Sequence, residues 1–315
     1  MRFFYSFLVF LVVSFSSCTN KQKDAISKNP YLVVLGIAQD AGFPQAGCKK
    51  PCCEEVWKDI SKRKMVACLG LVDPQTNNFW VFDATPDFKD QLHMMNNLLA
   101  NSEDVLPKGI FLTHAHVGHY TGLMELGREI IGTTEVDVFA MPKMENFIKN
   151  NGPWSQLVTL NNIKLNHLKS DSTVKLTDNI SVTPLQVPHR DEFSETVGYI
   201  INGSSKKSLF IPDIDKWSKW DRSIIDMIKE VDVAYIDGSF YKNGEVVGRD
   251  MSEIPHPFIE ESMSLFSKLK PEEKEKVRFI HLNHTNPLHN INSDETKTLL
   301  QKGFFVAKEG EQFEL

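Results

Sequence analysis

The chain has no excess of basic residues and no apolar run long enough to span a membrane. Its 315 residues include 35 Lys and Arg against 41 Asp and Glu, which gives a formal net charge of −6 at pH 7. Nucleic-acid binding depends on clustered positive charge, so this balance predicts no nucleic-acid partner. The longest apolar run, at residues 3–15, has about 13 residues, whereas a membrane-spanning helix needs about 20. The chain also lacks repeats and low-complexity tracts, and its 41% of apolar residues predict a globular protein.

The first 30 residues have the pattern of an export signal. A positive start at Arg2 is followed by the apolar run, and small residues then precede Cys18 and a polar stretch. This order is typical of a signal peptide, and the small residues before a cysteine resemble a bacterial lipoprotein cleavage site. We therefore predict a signal peptide at residues 1–17, a lipid on Cys18 and a tether at residues 18–30. The protein would then be membrane-anchored on the periplasmic or outer-membrane side. A plain secreted protein with an incidental Cys18 is the alternative.

Hydrophobic periodicity predicts one α/β domain over residues 31–315. Short apolar runs predict strands, and longer runs with apolar residues on one face predict helices. No linker interrupts this region, so packed sheets with helices outside are the economical arrangement. The predicted strands are 31–36, 65–72, 79–82, 109–113, 136–140, 158–160, 181–187, 197–201, 208–211, 233–236, 277–282 and 304–307. The predicted helices are 88–99, 123–131, 224–231, 258–269 and 295–301.

Three of the cysteines after Cys18 lie within six residues: Cys48, Cys52 and Cys53. A disulfide between adjacent cysteines is strained, and three close thiols suit a soft tetrahedral cation. We therefore predict a structural zinc site that takes its fourth ligand from elsewhere. A disulfide to Cys68 is one alternative for an exported chain, and free thiols are another. Cys68 itself lies in an apolar strand, which is typical of an inert core thiol.

The most informative stretch is a predicted strand that runs into three histidines. His114, His116 and His119 lie in the segment THAHVGH at residues 113–119. Residues i and i+2 of an extended segment point the same way, so His114 and His116 can face one cation. Neutral imidazoles are common ligands of zinc, iron and manganese. The segment therefore predicts a metal site at the end of the strand.

This segment resembles the His-x-His-x-Asp-His signature of the metallo-β-lactamase superfamily. Other segments resemble further motifs of that superfamily in the same order: FWVFD (79–83), PLQVPH (184–189), LFIPD (209–213) and FIHLNH (279–284). The resemblance implies an α/β fold of the αββα sandwich type, in which two packed mixed sheets carry helices on their outer faces.

A narrower resemblance is to the pyrroloquinoline quinone biosynthesis protein B branch, a relative of phosphodiesterases of the same superfamily. It rests on the cysteine triplet and on three segments: LGIAQDAGFPQ (35–45), DGSF (237–240) and HLNHTNP (281–287). The likeness extends over roughly residues 31–315.

The superfamily resemblance implies two neighbouring cation positions. The implied ligands are His114, His116 and His189 at the first position, His119 and His284 at the second, and Asp213 between them. His281 and His284 point opposite ways on an extended strand, and we expect His284 to be the ligand. Asp40 is a further candidate for the second position, and we expect Asp83 to support a ligand rather than bind metal. His256 is expected to be the fourth ligand of the cysteine zinc, with a loop histidine near the active site as the alternative.

One position departs from the signature, because Gly118 replaces its aspartate. We therefore expect the second position to lack a carboxylate and to hold metal weakly. Gly118→Asp should then raise the metal content, unless another residue such as Asp40 already completes the site. We also expect the cysteine site and the histidine site to be independent.

The implied ligand set predicts metal-assisted hydrolysis. Three histidines leave a position for a water with a lowered pKa, and Asp213 can orient that water and accept its proton. We expect an ester, lactone, amide or phosphodiester of a small molecule as substrate, with zinc, manganese or iron at the histidine site. Two alternatives stay open. One is an iron-dependent oxygenase or redox role, which the quinone-biosynthesis resemblance implies, and the other is a metal-binding module without turnover.

Metabolic labelling tests the predicted lipid on Cys18. Expressed in a bacterial host, the full chain should incorporate a palmitate analogue and stay with the membrane fraction. Cys18→Ser should abolish both, because the acceptor thiol is lost, whereas Cys68→Ser is a control that keeps the acceptor. Labelling that persists in Cys18→Ser, or an unlabelled unmodified chain, would contradict the prediction.

Overall fold

The computed structural model describes residues 29–99 and 106–315. The predicted signal peptide and Cys18 lie outside the described residues. The strands are β1 (Tyr31–Gly36), β2 (Cys68–Asp73), β3 (Asn78–Phe82), β4 (Gly109–Phe111), β5 (Val136–Ala140), β6 (Ile163–His167), β7 (Val174–Lys175), β8 (Ser181–Gln186), β9 (Val197–Asn202), β10 (Lys207–Ile211), β11 (Val233–Asp237), β12 (Val277–Ile280), β13 (Phe305–Val306) and β14 (Gln312–Glu314). The α-helices are α1 (Pro51–Lys58), α2 (Phe88–Leu98), α3 (Val117–Tyr120), α4 (Pro142–Asn150), α5 (Trp154–Thr159), α6 (Ile224–Glu230), α7 (Ile259–Leu265), α8 (Pro271–Lys274) and α9 (Asp294–Gln301).

The strands form two seven-stranded mixed sheets that are built alike. The first sheet has the order β14-β1-β2-β3-β4-β5-β6, and the second has the order β13-β12-β11-β10-β9-β8-β7. In the first sheet the pairs from β14 to β3 are antiparallel and those from β3 to β6 are parallel. In the second, the pairs from β7 to β10 are antiparallel and those from β10 to β13 are parallel. Each sheet therefore has one antiparallel and one parallel half.

Successive side chains along each strand of the first sheet lie on opposite faces of the sheet, because side-chain direction in a strand has a period of two residues. Leu69 lies in one buried cluster with Phe210 of the second sheet. Val72 lies in another with Met95 of α2. The Phe82 and Phe210 ring centroids are 6.1 Å apart, so aromatic contacts join the sheets. The predicted sandwich of two mixed sheets with helices is confirmed.

Several elements differ from the prediction. The predicted helix at 123–131 is wrong, because a 3₁₀ helix at Thr121–Leu126 is followed by turns. Strands β6, β7 and β14 and helices α1, α3 and α8 were not predicted. The predicted strand at 158–160 is wrong, because Val158 and Thr159 form the end of α5 and Leu160 caps it, while Leu157 of that helix packs into the core. Helix α4 is absent from the predicted elements, although its signals are present: Pro142 opens it, and Met144 and Ile148 are buried four residues apart.

Within the described ranges, no helix is long and apolar enough to cross a bilayer.

Candidate metal centre

The candidate centre is built from residues at the carboxyl ends of strands in both sheets. These residues are Asp40 after β1, Asp83 after β3, His114 after β4, His189 after β8, Asp213 after β10, Asp237 at the end of β11 and His281 after β12. Within each sheet the named strands run in one direction, so their carboxyl ends meet at one edge. Segments far apart in the sequence therefore contribute to a single site.

Three histidines and Asp213 form a first candidate cation position. His114, His116, His189 and Asp213 each place a ligand atom within 4.8 Å of the others. The Asp213 carboxylate lies 3.3 Å from His114 Nε2, 3.2 Å from His189 Nε2 and 3.8 Å from His116 Nδ1. The structure thus brings together the residues assigned to the first position from the sequence.

Asp40, His119 and His281 form a second candidate position next to the first, and their ligand atoms also lie within 4.8 Å of one another. Asp40 Oδ1 lies 3.2 Å from His119 Nε2 and 3.6 Å from His281 Nε2. Asp213 Oδ2 lies 3.9 Å and 4.0 Å from the same two nitrogens. Asp213 therefore stands between the two positions.

Buried polar atoms without partners show that the residues fit a pair of cations. In the part of the chain that the structure describes, five atoms of the centre are buried and lack a hydrogen-bond partner: Asp40 Oδ1, His119 Nε2, His189 Nε2, Asp213 Oδ1 and His281 Nε2. A buried polar atom left unpaired costs about 1–3 kcal/mol. Imidazole and carboxylate together suit divalent zinc, iron or manganese. Cations at the two positions would satisfy all five atoms.

Four of the histidines are fixed by contacts at the ring nitrogen that faces away from the cation positions. These Nδ1 contacts are Asp83 to His119 (2.7 Å), Asp215 to His189 (3.1 Å), Ser239 to His281 (2.9 Å) and Thr113 to His114 (2.9 Å). Such partners fix ring orientation and tautomer, which leaves Nε2 for a cation. Asp83 lies in the supporting place expected of it, whereas Asp215, Ser239 and Thr113 were not singled out from the sequence.

The electrostatics of the centre differ from one ligand to the next. Burial lowers the pKa of His119 and of His189, but Asp83 beside His119 and Asp213 beside His189 outweigh it and raise both pKa values. Burial would raise the pKa of Asp213, but His189, His256 and His281 outweigh it and hold that pKa well below its ordinary value. Burial and the neighbouring His119 lower the pKa of His114 well below its ordinary value. An ionised carboxylate beside a neutral imidazole is the state that binds a divalent cation.

Comparison with protein families agrees with this geometry. The family model of the beta-lactamase superfamily domain matches residues 79–282, which is more than half of the chain. The chain belongs to the metallo-β-lactamase superfamily. The matched range contains His114 and His281, so it includes residues of both candidate cation positions.

Several relatives within the superfamily match this chain over nearly its full length. Coenzyme PQQ synthesis protein B of Acinetobacter baumannii is 26% identical over 306 residues, which cover 90% of this chain and 100% of that protein. Zn²⁺-bound PqqB from Methylobacterium extorquens has a TM-score of 0.76 at 22% identity, with 90% of this chain and 100% of that one covered. A diphosphatase from the PhnP family has a TM-score of 0.62 at 21% identity, with 91% and 97% covered. The two structural similarities show a shared fold.

The cysteine triplet forms a separate cluster with His284. Cys48, Cys52, Cys53 and His284 each place a ligand atom within 4.8 Å of the others. The sulfurs of Cys48 and Cys52 are 3.9 Å apart, and His284 Nδ1 is buried without a hydrogen-bond partner. Three thiolates and one imidazole are a common donor set for tetrahedral zinc. The donor set therefore fits a zinc ion.

The described cysteines form no disulfide, because Cys48, Cys52, Cys53 and Cys68 are all free thiols. Cys68 is buried in β2, in the core cluster that faces α2. Burial raises the pKa of its thiol well above the ordinary value. These features match the inert core thiol expected at this position.

Placing His284 at the second position was wrong, and His281 stands there instead. The expectation assumed a regular strand through both residues. β12 ends at Ile280, and His281 adopts a φ of 67°. That left-handed conformation ends the alternation of a strand, so His281 points into the centre and His284 reaches the cysteines.

Placing His256 at the cysteine cluster was also wrong. Its Nδ1 lies 2.8 Å from Asp237 Oδ2 and 3.1 Å from Asp213 Oδ1. His256 is therefore the histidine beside the active site that stood as the alternative. Asp237 was quoted only within the DGSF segment and was given no role at the site, although its place at the end of an apolar strand was a usable signal.

Gly118 makes room for a carboxylate from another loop. A Cβ atom at Gly118 would lie 2.3 Å from Asp40 Oδ1 and 2.5 Å from Asp40 Cα. Asp40 therefore occupies the space that a side chain at position 118 would take. The expectation that the second position lacks a carboxylate was wrong.

Substitution of Gly118 tests this arrangement. Gly118→Ala and Gly118→Asp should each lose roughly one metal per chain, because the new side chain displaces Asp40. Elemental analysis after dialysis against a mild chelator measures the loss. Gly152→Ala is a suitable control, since a Cβ there meets nothing within 4 Å. Unchanged metal content in Gly118→Ala, which adds a side chain without a ligand, would show that Asp40 is not the ligand.

The cysteine cluster and the histidine centre share two loops. Asp40 and Cys48 lie between β1 and α1, whereas His281 and His284 follow β12. Between these loops the Asn283 side chain donates a hydrogen bond to Gln39 Oε1 at 2.5 Å. A cation at the cysteines would clamp both loops, which argues against the expected independence of the two sites.

Removal of two thiols tests this coupling. Cys52→Ser/Cys53→Ser should lose the metal of the cysteine cluster and also bind metal more weakly at Asp40 and His281. Elemental analysis and metal titration of the folded fraction measure both effects. Val56→Ala is the matched control, because it loosens the packing of the same cluster and keeps every ligand. Full metal binding at the histidine centre of the double variant would show that the sites are independent.

Proposed function

We propose that the protein is a metal-dependent hydrolase that cleaves an ester, lactone, amide or phosphodiester of a small molecule. The observation that carries the proposal is the pair of adjoining candidate cation positions with Asp213 between them. Divalent cations bound there would supply a water of lowered pKa and would polarise a carbonyl or phosphoryl oxygen. The PhnP-family diphosphatase of similar fold supports a hydrolytic reading.

Asp213 is the proposed catalytic carboxylate. It is 2% exposed and contacts histidines of both positions, so a water held there would lie within reach of its oxygens. The surrounding imidazoles keep it ionised, and an ionised carboxylate can orient the water and accept its proton.

His256 is the proposed hydrogen-bond donor to the substrate. Asp237 holds its Nδ1 at 2.8 Å, and the backbone amides of Ile214 and Ser239 donate to Asp237 at 3.1 Å and 2.8 Å. These contacts fix the direction of the ring. Nε2, on the opposite side of the ring, is left to donate to an oxygen of the substrate.

The proposed cofactors are zinc, manganese or iron at the histidine centre and a structural zinc at the cysteine cluster. The zinc-bound PqqB of similar fold supports a metal cofactor in this chain. The proposed location is the periplasmic or outer-membrane side, where a lipid on Cys18 would anchor the protein to the membrane. This proposal rests on the sequence pattern alone.

A second candidate function is an iron-dependent oxygenase or redox role. It is favoured by the coenzyme PQQ synthesis proteins that match nearly the whole chain, at 26% identity for the protein of Acinetobacter baumannii. Histidines with a carboxylate also suit non-haem iron. The third candidate function is a metal-binding module, which would bind substrate analogues without converting them.

Turnover by the metal-loaded protein tests the proposal. Zinc- or manganese-loaded protein should hydrolyse at least one member of a panel of 4-nitrophenyl esters, lactones and bis(4-nitrophenyl) phosphate. Asp213→Asn should lower kcat by about 10²-fold or more, because the group that accepts the proton is lost. Asp178→Asn, at an exposed aspartate, is the control with the same chemical change.

Metal content is measured in every sample, so that loss of cations and loss of catalysis are separated. Oxygen consumption by the iron-loaded protein, without turnover of the panel by any metal form, would favour the second candidate function and overturn the first.

A further inference from the structure

A cavity of about 490 Å³ lies between the cysteine cluster and the segment that follows β11. Lys49 and Lys50 line it from the loop before α1, and Arg249 lines it from the segment after β11. Phe240 and Asn283 form part of the remaining wall. Three cationic side chains from two separate segments therefore surround one space.

This cavity adjoins the metal centre. The ring centroids of Phe240 and His256 are 6.0 Å apart, and His256 contacts Asp213. On the same wall, the Asn283 amide donates to the Ser239 carbonyl at 2.9 Å. The Ser239 hydroxyl contacts His281 at 2.9 Å. Phe240 and Asn283 of the cavity wall are therefore each one contact away from a residue of the centre.

The three cationic groups carry charge that the protein leaves unbalanced. Across residues 29–99 and 106–315, the side chains of Lys49, Lys50 and Arg249 form no ion pair, although all three residues are exposed. Lys58, eight residues after Lys50, is instead paired with Glu54 at 3.0 Å. Unpaired cations around one cavity are unexpected in a chain with a net charge of −6.

The acidic side chains nearby do not neutralise these groups. Glu245 accepts hydrogen bonds from the Thr285 hydroxyl at 2.5 Å and from the Tyr241 amide at 2.6 Å. Asp250, next to Arg249, accepts from the amide and the hydroxyl of Ser252 at 2.9 Å and 2.7 Å. Both carboxylates keep their charge, but neither lines the cavity, so the three cationic groups on its wall outnumber them.

We propose that this cavity binds an anionic group of the substrate, a carboxylate or a phosphate, at a distance from the bond that is cleaved. The inference rests on the proposed function, because that function places the reacting bond at the metal centre. Arg249 can bind such a group through two parallel hydrogen bonds, and the two lysines add charge-assisted donors. Specificity for small anionic molecules over neutral ones of the same shape then depends on Lys49, Lys50 and Arg249.

Matched substrates test the proposal. The monoester 4-nitrophenyl glutarate and 4-nitrophenyl valerate have acyl chains of equal length and differ in a terminal carboxylate. The metal-loaded protein should prefer the glutarate ester in kcat/KM, mainly through a lower KM. Lys49→Gln/Lys50→Gln/Arg249→Gln should reduce that preference by about tenfold or more, because it removes the charged donors. Added salt should reduce it in the unmodified protein, since salt screens exposed charges.

A matched variant separates the cavity from the overall charge. Lys89→Gln/Lys164→Gln/Lys268→Gln removes the same charge at exposed positions that do not line the cavity, and it should keep the preference. An equal loss of preference in both triple variants, or no preference for the glutarate ester in the unmodified protein, would overturn the proposal.

Calorimetric titration tests the cavity without turnover. Glutarate and propyl phosphate are titrated into the metal-loaded protein and both triple variants at equal metal content. At least one anion should bind about tenfold more weakly to Lys49→Gln/Lys50→Gln/Arg249→Gln than to the control triple variant. If the esters are not cleaved but this difference is present, the proposed function fails and the cavity site stands. Equal binding of both anions to all three proteins would overturn the cavity site.

Discussion

The centre depends on one buried carboxylate. Asp213 is almost fully shielded from solvent, and an ionised group in that environment costs several kcal/mol unless other charges compensate it. Histidines of both sheets surround it: His114 of the first contacts it at 3.3 Å, and His189 and His281 of the second lower its pKa. The sandwich must therefore hold the strand ends of both sheets at one edge, and any shift between the sheets would separate the carboxylate from its partners.

A surrounding set of polar contacts keeps this arrangement in place. Asp83, Asp215, Ser239 and Thr113 each hold one histidine through Nδ1, and each follows closely on a strand or a neighbouring ligand. The second position has weaker local support, because Asp40 comes from a loop. That loop is tied to the one that carries His281 through Asn283 and through the candidate zinc site of the cysteines. A metal at the cysteines would thus contribute to the geometry of a centre with which it shares no ligand.

The superfamily scaffold allows more than one chemistry, because the fold sets where cations lie and the loops decide what reaches them. The relatives named as coenzyme PQQ synthesis proteins and the diphosphatase of the PhnP family share the fold with this chain. The function of this chain therefore depends on the residues that surround its metal centre. The proposed hydrolysis of an anionic small molecule rests on two of these features, His256 held by Asp237 and the cationic cavity.

The sequence by itself determined the sandwich and the first cation position. Strand-end position and spacing predicted that His114 and His116 face one cation. The superfamily resemblance implied His189 and Asp213 as the other ligands of that position. Only the tertiary structure decided the second position. His281 replaces His284 because one left-handed residue ends the strand alternation, and Asp40 enters because Gly118 leaves it room. Local pattern determines which way a side chain points within a regular strand. Contacts between distant loops depend on how the whole chain packs, so the spacing of residues along the sequence does not predict them.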